Sequence, residues 1–142
     1  MANVIPYAFR GELFTGTHNF ASGGDSFKLA LYTANPYNTS STVYVSTNEQ
    51  SSASSSNYTA TGNTLTGNAV VYSTAVASCD FADSSWTSAT ISVAFGAIYN
   101  DSKSDKLCVV LDFDGTKSCT NGTFTVSFPS PATAADAIIS MA

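Results

Sequence analysis

The sequence has little charge, and cations are its scarcest feature. Arg10, Lys28, Lys103, Lys106 and Lys117 are the only Lys and Arg residues, against ten Asp and Glu, for a formal net charge of −5. Neutralising a phosphate backbone takes a basic stripe or patch. Five scattered cations on an acidic chain do not supply one, so no direct nucleic-acid binding is expected. There is one histidine, His18, and three cysteines, Cys79, Cys108 and Cys119. An odd cysteine count without a C-x-x-C pair argues against a disulfide framework and against a thiolate metal centre. Cys79 and Cys108 read as small apolar residues within strands. Long apolar runs are also missing. The longest candidate, 91–99, is interrupted by Ser92 and Gly96, far short of the roughly 20 residues that span a bilayer. The opening Met1-Ala-Asn-Val-Ile-Pro6 has no charged segment leading into an apolar one, so no secretory signal is expected. The expectation is synthesis in a cytoplasm and no membrane partner.

What fills the space is Ser, Thr, Asn and Ala. The hydrophobic fraction of 44% is ordinary for a globular protein, whereas 11% charged residues is under half of the typical value of about 25%. Such a surface is polar without strong fields and suits dense packing against neighbours. The 142 residues are enough for one domain that buries roughly 70% of its unfolded surface.

No helix-period segment of useful length is evident. Short β-rich runs recur between Gly, Asn, Asp and Ser clusters. In 27–32, alternation places Phe27, Leu29 and Leu31 on one face. Segments 68–73 and 77–81 are shorter candidates. In 89–95, Ile91, Val93 and Phe95 face inward. In 107–113, Leu107, Val109, Leu111 and Phe113 share a face, and in 123–128 Phe124, Val126 and Phe128 do. The tail 137–141 is a candidate closing strand. Gly96, where the apolar phase shifts, predicts a β-bulge. Asp114-Gly115 and Asn121-Gly122 are hairpin-type dipeptides, and 100–106 reads as a polar loop between two strong strands. Many short strands without a crossover helix predict an all-β fold, an antiparallel β-sandwich or barrel of jelly-roll-like type. Residues 27–142 form this domain. Residues 1–26 read as an extended N-terminal segment, an arm that orders on a partner or else an edge strand and loop. The stretch 46–61, including Gln50 to Asn57, reads as a long, solvated, mobile loop.

Candidate chemistry is sparse. As a general base His18 would need a carboxylate or nucleophile brought close in space; nothing in the sequence argues for one, and it reads as a polar surface or interface residue. Asp112-Phe-Asp114-Gly begins like a calcium loop but continues into Lys117 with no terminal Glu. Asp80 and Asp83 flank Phe81 close to Trp86, the makings of a sugar platform, yet an acidic turn packing aromatics into the core accounts for the same residues. Gly23-Gly24 is followed by no Lys-Ser/Thr of a phosphate loop. No catalytic, cofactor-binding or metal-binding residue is assigned, and no enzyme activity is expected.

One set of segments is distinctive as an ordered series: Lys28-Leu-Ala-Leu-Tyr-Thr33, Tyr58-Thr-Ala-Thr-Gly-Asn-Thr-Leu-Thr66, Phe81-Ala-Asp-Ser-Ser-Trp-Thr-Ser-Ala-Thr90, Gly96-Ala-Ile-Tyr-Asn100 and Val110-Leu-Asp-Phe113. The series resembles a family of small virion proteins of tailed bacteriophages, over roughly 27–128. The family's Arg in the strand leading to the Gly-Ala-x-Ile-Tyr-Asn element is replaced here by Val93-Ala-Phe95. The resemblance implies a structural role on the virion, best fitted by a capsid cement (decoration) protein. Such proteins are commonly homotrimers bound outside the shell of the major capsid protein. It also admits a tail or fibre component that recognises the host. Copy number separates these two: a cement protein is present in hundreds of copies per particle, a tail component in a few. A carbohydrate-binding domain using Trp86 is a third reading from a different class.

Overall fold

A computed structural model describes residues 3–73, 75–129 and 137–141. The strands are β1 (Phe27–Tyr32), β2 (Asn63–Thr64), β3 (Ala69–Ser73), β4 (Val76–Asp80), β5 (Ser84–Asn100), β6 (Lys106–Val126) and β7 (Ile139–Met141). One helix, α1 (Tyr7–Phe14), precedes them. The strands form two antiparallel sheets, in the orders β2-β1-β5-β6 and β3-β4-β7. The fold is a β-sandwich, as the run of short strands predicts; the sheets do not close into a barrel.

The main core lies between the sheets. Phe27, Leu29, Leu31, Trp86, Ile91, Val93, Ile98, Val109 and Phe124 of the larger sheet meet Cys79 and Ile139 of the smaller. A second apolar cluster covers the opposite face of β1 and of the closed end of the β5–β6 hairpin. There Ala30, Tyr32, Ala97, Tyr99, Leu107 and Val110 pack under Tyr37, with Val4, Tyr44 and Val45 at its edge. β1 is therefore buried on both faces. This explains why its Ala30 and Tyr32, which alternation points to solvent, are fully buried.

The hairpin departs from simple alternation because its register steps. Between Val93↔Lys117 and Phe95↔Asp112, β5 contributes one residue and β6 four. Asp114 and Gly115, with φ of 55° and 95°, sit in this excursion. Asn121 (φ 46°) occupies a smaller one, where two β6 residues oppose one of β5 between Ala89↔Gly122 and Ile91↔Cys119. Both dipeptides predicted as hairpin turns are bulges within one long strand. Asn-Gly and Asp-Gly license positive φ, and whether that makes a turn or a bulge depends on the strand alongside. The steps also redirect side chains. Phe95 leaves the Ile91–Val93 face for the second cluster, and an extra residue at Cys108, between Ile98↔Val109 and Tyr99↔Leu107, sends Leu107 there too. Gly96, predicted as the bulge, lies in continuous register from Phe95 to Ile98. Space there is tight: a Cβ would lie 3.0 Å from the Phe113 ring and 3.1 Å from the Leu29 side chain, so both would have to give way.

Residues 3–26 are not extended. Pro6 starts α1 and Gly16, at φ 67°, follows its end, a pairing that suits a helix start and stop. At eight residues with an internal glycine, α1 has little intrinsic stability. Packing holds it: Phe9 is fully buried, Leu13 packs on the core, and Phe20 stacks on Phe27 at 4.4 Å. Val4 pairs with Val110 as a short extra bridge on β6. The helix escapes sequence reading because only two apolar positions, Phe9 and Leu13, mark its inner face.

Gly62 is the tightest backbone approach. At φ 78°, a Cβ there would lie 1.9 Å from the Leu29 carbonyl oxygen. Gly115 also has positive φ but faces open space. Gly62→Ala is expected to cost more than about 3 kcal/mol or prevent folding, and Gly115→Ala about 1–2 kcal/mol. Urea denaturation of both variants measures the difference; equal losses would contradict the packing described.

Candidate functional site

The densest convergence of polar side chains lies where α1 meets the closed end of the β5–β6 hairpin. His18 stands at its centre with a fully buried side chain, contrary to the surface position predicted for it. Its ring lies 5.0 Å from Phe9 and 6.2 Å from Phe20. Glu12, on α1, accepts a hydrogen bond from His18 Nε2 at 2.8 Å and pairs with Lys106, the first residue of β6. Asn100, the last residue of β5, is wholly buried. Its amide Nδ2 donates to His18 Nδ1 and to Asp25 Oδ2, both at 2.9 Å. This double donation fixes the tautomer: Nδ1 accepts, so Nε2 carries the proton and donates to Glu12. Asp25 is delivered by a tight turn in which Asn19 N–H donates to Asp25 Oδ2 and Asp25 N–H to the Asn19 carbonyl. Gly24 is needed there, since a Cβ would lie 2.4 Å from the Asn19 carbonyl oxygen.

Cys108 Sγ lies 4.0 Å from His18 Nδ1, so thiol, imidazole and carboxylate stand in the order of a nucleophile, its base and an orienting acid. The chemistry of the three groups points elsewhere. Cys108 is completely buried, and burial pushes its thiol well above the ordinary range, with nearby anionic groups adding to the effect. A reactive cysteine needs an electropositive, partly exposed setting that favours thiolate. The lone pair of His18 that faces Sγ already accepts from Asn100. The arrangement is a clamp that joins α1, the 19–25 turn and the hairpin. Asn100 Oδ1 has no hydrogen-bond partner among the described residues, which costs roughly 1–3 kcal/mol.

Glu49 anchors a second polar centre, one without a signal in the sequence. It accepts hydrogen bonds from Tyr44 and Tyr58 hydroxyls at 2.6 and 2.7 Å and from Thr61 N–H at 2.7 Å. Burial, reinforced by the Glu49 charge, pushes both phenols up. The stretch 46–61, predicted as a free loop, lies along β1 and β5 instead. Gln50 N–H bonds the Leu31 carbonyl, Thr33 N–H the Asn48 carbonyl and Thr90 N–H the Ser56 carbonyl. Three serines in a row gave no hint of this, because the ties are backbone groups.

The remaining predicted candidates are separate from these centres. Trp86 is buried against Tyr58 and Phe124, and Asp83 accepts the Phe128 N–H at 2.8 Å; no aromatic platform faces solvent there. Asp112 accepts the Asp114 N–H within the bulge. Cys79, Cys108 and Cys119 are free thiols, and burial pushes Cys79 up to about 12. Val93 and Ala94, at the position of the family's arginine, are buried, with Phe95 in the second cluster. In contrast, the outer face of the open hairpin end is bare. Ser85, Thr87, Thr90 and Ser92 are exposed on β5, and hydroxyl pairs Ser85–Thr125 and Ser92–Ser118 cross to β6 at 2.8 and 2.9 Å. No charged residue occurs in 84–100 or in 118–126.

Burial pushes the Glu12 carboxyl up, but the hydrogen bonds from Lys106 and His18 and the Lys106 charge outweigh it and hold the group below its ordinary 4.5. A carboxyl depressed in the folded state stabilises above its unfolded value, and this stability disappears as pH falls through the folded value. The melting temperature is therefore expected to drop below pH 4.5, and Glu12→Gln, about 1–2 kcal/mol less stable at pH 7, to flatten that dependence. Scanning calorimetry from pH 7 to 3 tests it. Glu49→Ala strands three donors and is expected to cost about 2–4 kcal/mol and to open 46–61 to limited proteolysis; unchanged cleavage would refute the anchoring role. Comparison of the chain with protein-family models, with curated proteins and with solved structures finds no match.

Proposed function

We propose that the chain is a non-enzymatic structural protein of a bacteriophage particle, a capsid cement protein that binds the outside of the major capsid protein shell and stabilises the head. The observation that carries this reading is the uncharged, hydroxyl-lined face of the β5–β6 hairpin. Copies and capsomers crowd closely on a shell, and a face without charge approaches a neighbour without like-charge repulsion or costly ion desolvation. Holding comes from many modest contacts repeated over the shell, so no single strong site is required. The ordered segments that resemble those of small phage virion proteins support the same reading: Gly62 and Gly96 sit at close approaches, and Trp86 and Asn100 are buried. The polar side chains that resemble a catalytic set act as an internal clamp.

Particles prepared with and without the protein, imaged at low resolution, are expected to differ by density over the head, and gel densitometry to give hundreds of copies per particle. A handful of copies would overturn the reading and favour a tail component. Thr87→Lys with Thr123→Lys places charge on the exposed hairpin face without touching a side-chain hydrogen bond described above. This variant is expected to lose head binding with an unchanged melting temperature.

A further inference from the structure

Exposed apolar side chains are concentrated on one side of the molecule. Among the described residues, the exposed large hydrophobic side chains are Ile5, Tyr7, Phe14, Val43, Val70, Tyr72 and Met141. All but Val43 flank α1 or the smaller sheet. On α1, Tyr7, Arg10 and Phe14 follow i, i+3, i+7 spacing and form one stripe. Phe14 is 93% exposed, so it projects from the helix end without packing. Across the smaller sheet, Tyr72 pairs with Ala77 and Ala77 with Met141, while Val70 pairs with Cys79 and Cys79 with Ile139. Directly paired residues, and those two apart along a strand, share a face. That face therefore starts in the core at Cys79 and Ile139 and runs outward to Tyr72 and Met141, which are 81% and 57% exposed. It overhangs the core.

Between the helix and the overhang lies a groove of about 280 Å³, walled by Ile5, Phe9, Leu13, Phe14, Ile139 and Met141. Through Leu13, Ile139 and Met141 it continues into a hollow of about 220 Å³ that reaches Val70. An apolar cavity of about 150 Å³ already holds a benzene ring, so the groove has room for an aromatic side chain.

We propose that a second copy of this chain occupies the groove, each copy inserting its Phe14 into the groove of the other about a two-fold axis. Three observations select this occupant. Phe14 stands on the rim of the groove, so projection and recess belong to one surface patch, as a two-fold contact requires. The six flanking side chains together expose roughly 700 Å² when each aromatic is taken as about 150–250 Å², comparable to the roughly 800 Å² that each partner of a stable interface buries. Among the described residues, Arg10 is the only charged one lining the groove, and it sits over the Tyr7 ring at 4.9 Å. On a chain of net charge −5, a lining without Asp or Glu among the described residues lets two copies meet there without apposing those side chains. The two-fold contact stands in place of the trimer that the resemblance implies, is independent of shell binding and stands if that reading fails.

Sedimentation equilibrium of the full chain, from low micromolar to millimolar concentration, tests it. A monomer–dimer equilibrium is expected, and Phe14→Asp is expected to weaken it at least about 30-fold, the effect of losing a buried aromatic anchor. Because Phe14 is free of intramolecular packing, the variant should melt like the parent, which separates lost association from lost folding. A parent chain that stays monomeric at millimolar concentration, an assembly of another stoichiometry, or a dimer indifferent to Phe14→Asp would overturn the proposal.

Discussion

The ladder between β5 and β6 is the constraint on which the other elements depend. β1 adds to β5 along its whole length, from Phe27↔Asn100 to Tyr32↔Phe95. Trp86, Ile91, Val93 and Phe124 of the hairpin form the floor of the main core, and Val4 and Val43 bridge to β6 at its closed end. A ladder this long cannot stay regular, because twist accumulates along it. The register steps at Ser88, Asp114-Gly115, Asn121 and Cys108 relieve it. Each step also turns the following side chains over, so the closed end feeds two apolar clusters and the open end only one. The bare hydroxyl face is the part that the second cluster does not reach.

Burying ionisable groups is costly unless each is paired, and the clamp at the closed end meets that condition almost completely. Glu12, His18, Asp25, Asn100 and Lys106 come from two stretches far apart in sequence, 12–25 and 100–106, and each satisfies another's hydrogen-bonding needs. Such a network is directional where apolar packing is not. It sets where an eight-residue helix with weak propensity must sit, and so where Phe14 and the apolar groove face solvent. Glu49 does the same for the chain between β1 and β2, replacing strand pairing with three donors aimed at one carboxylate.

Most strands were legible. Phe27–Tyr32, Ala69–Ser73, the 77–81 run and the closing strand at the tail follow from local alternation, and so does the sandwich class. The long hairpin was legible only in pieces, since 107–113 and 123–128 read as separate strands on either side of glycine dipeptides. Helix α1 was hidden by its length. The candidate site was not legible at all: His18 gives no sign of burial, and its partners lie 6, 82 and 90 residues away.

The sequence by itself determined the class of fold, the inward identity of residues such as Ile91 and Phe124, the positive φ at Asp114, Gly115 and Asn121 and the low charge of the surface, because these depend on neighbours within a few residues. The tertiary structure alone decided that Asp114-Gly115 and Asn121-Gly122 are bulges, that Leu107 and Phe95 change sides, that His18 is enclosed and that Phe14 is not. The reason is the same in each case. A local pattern states what a residue can do, while register against a distant strand, and the partners that register brings within 3 Å, select which of those options the chain adopts.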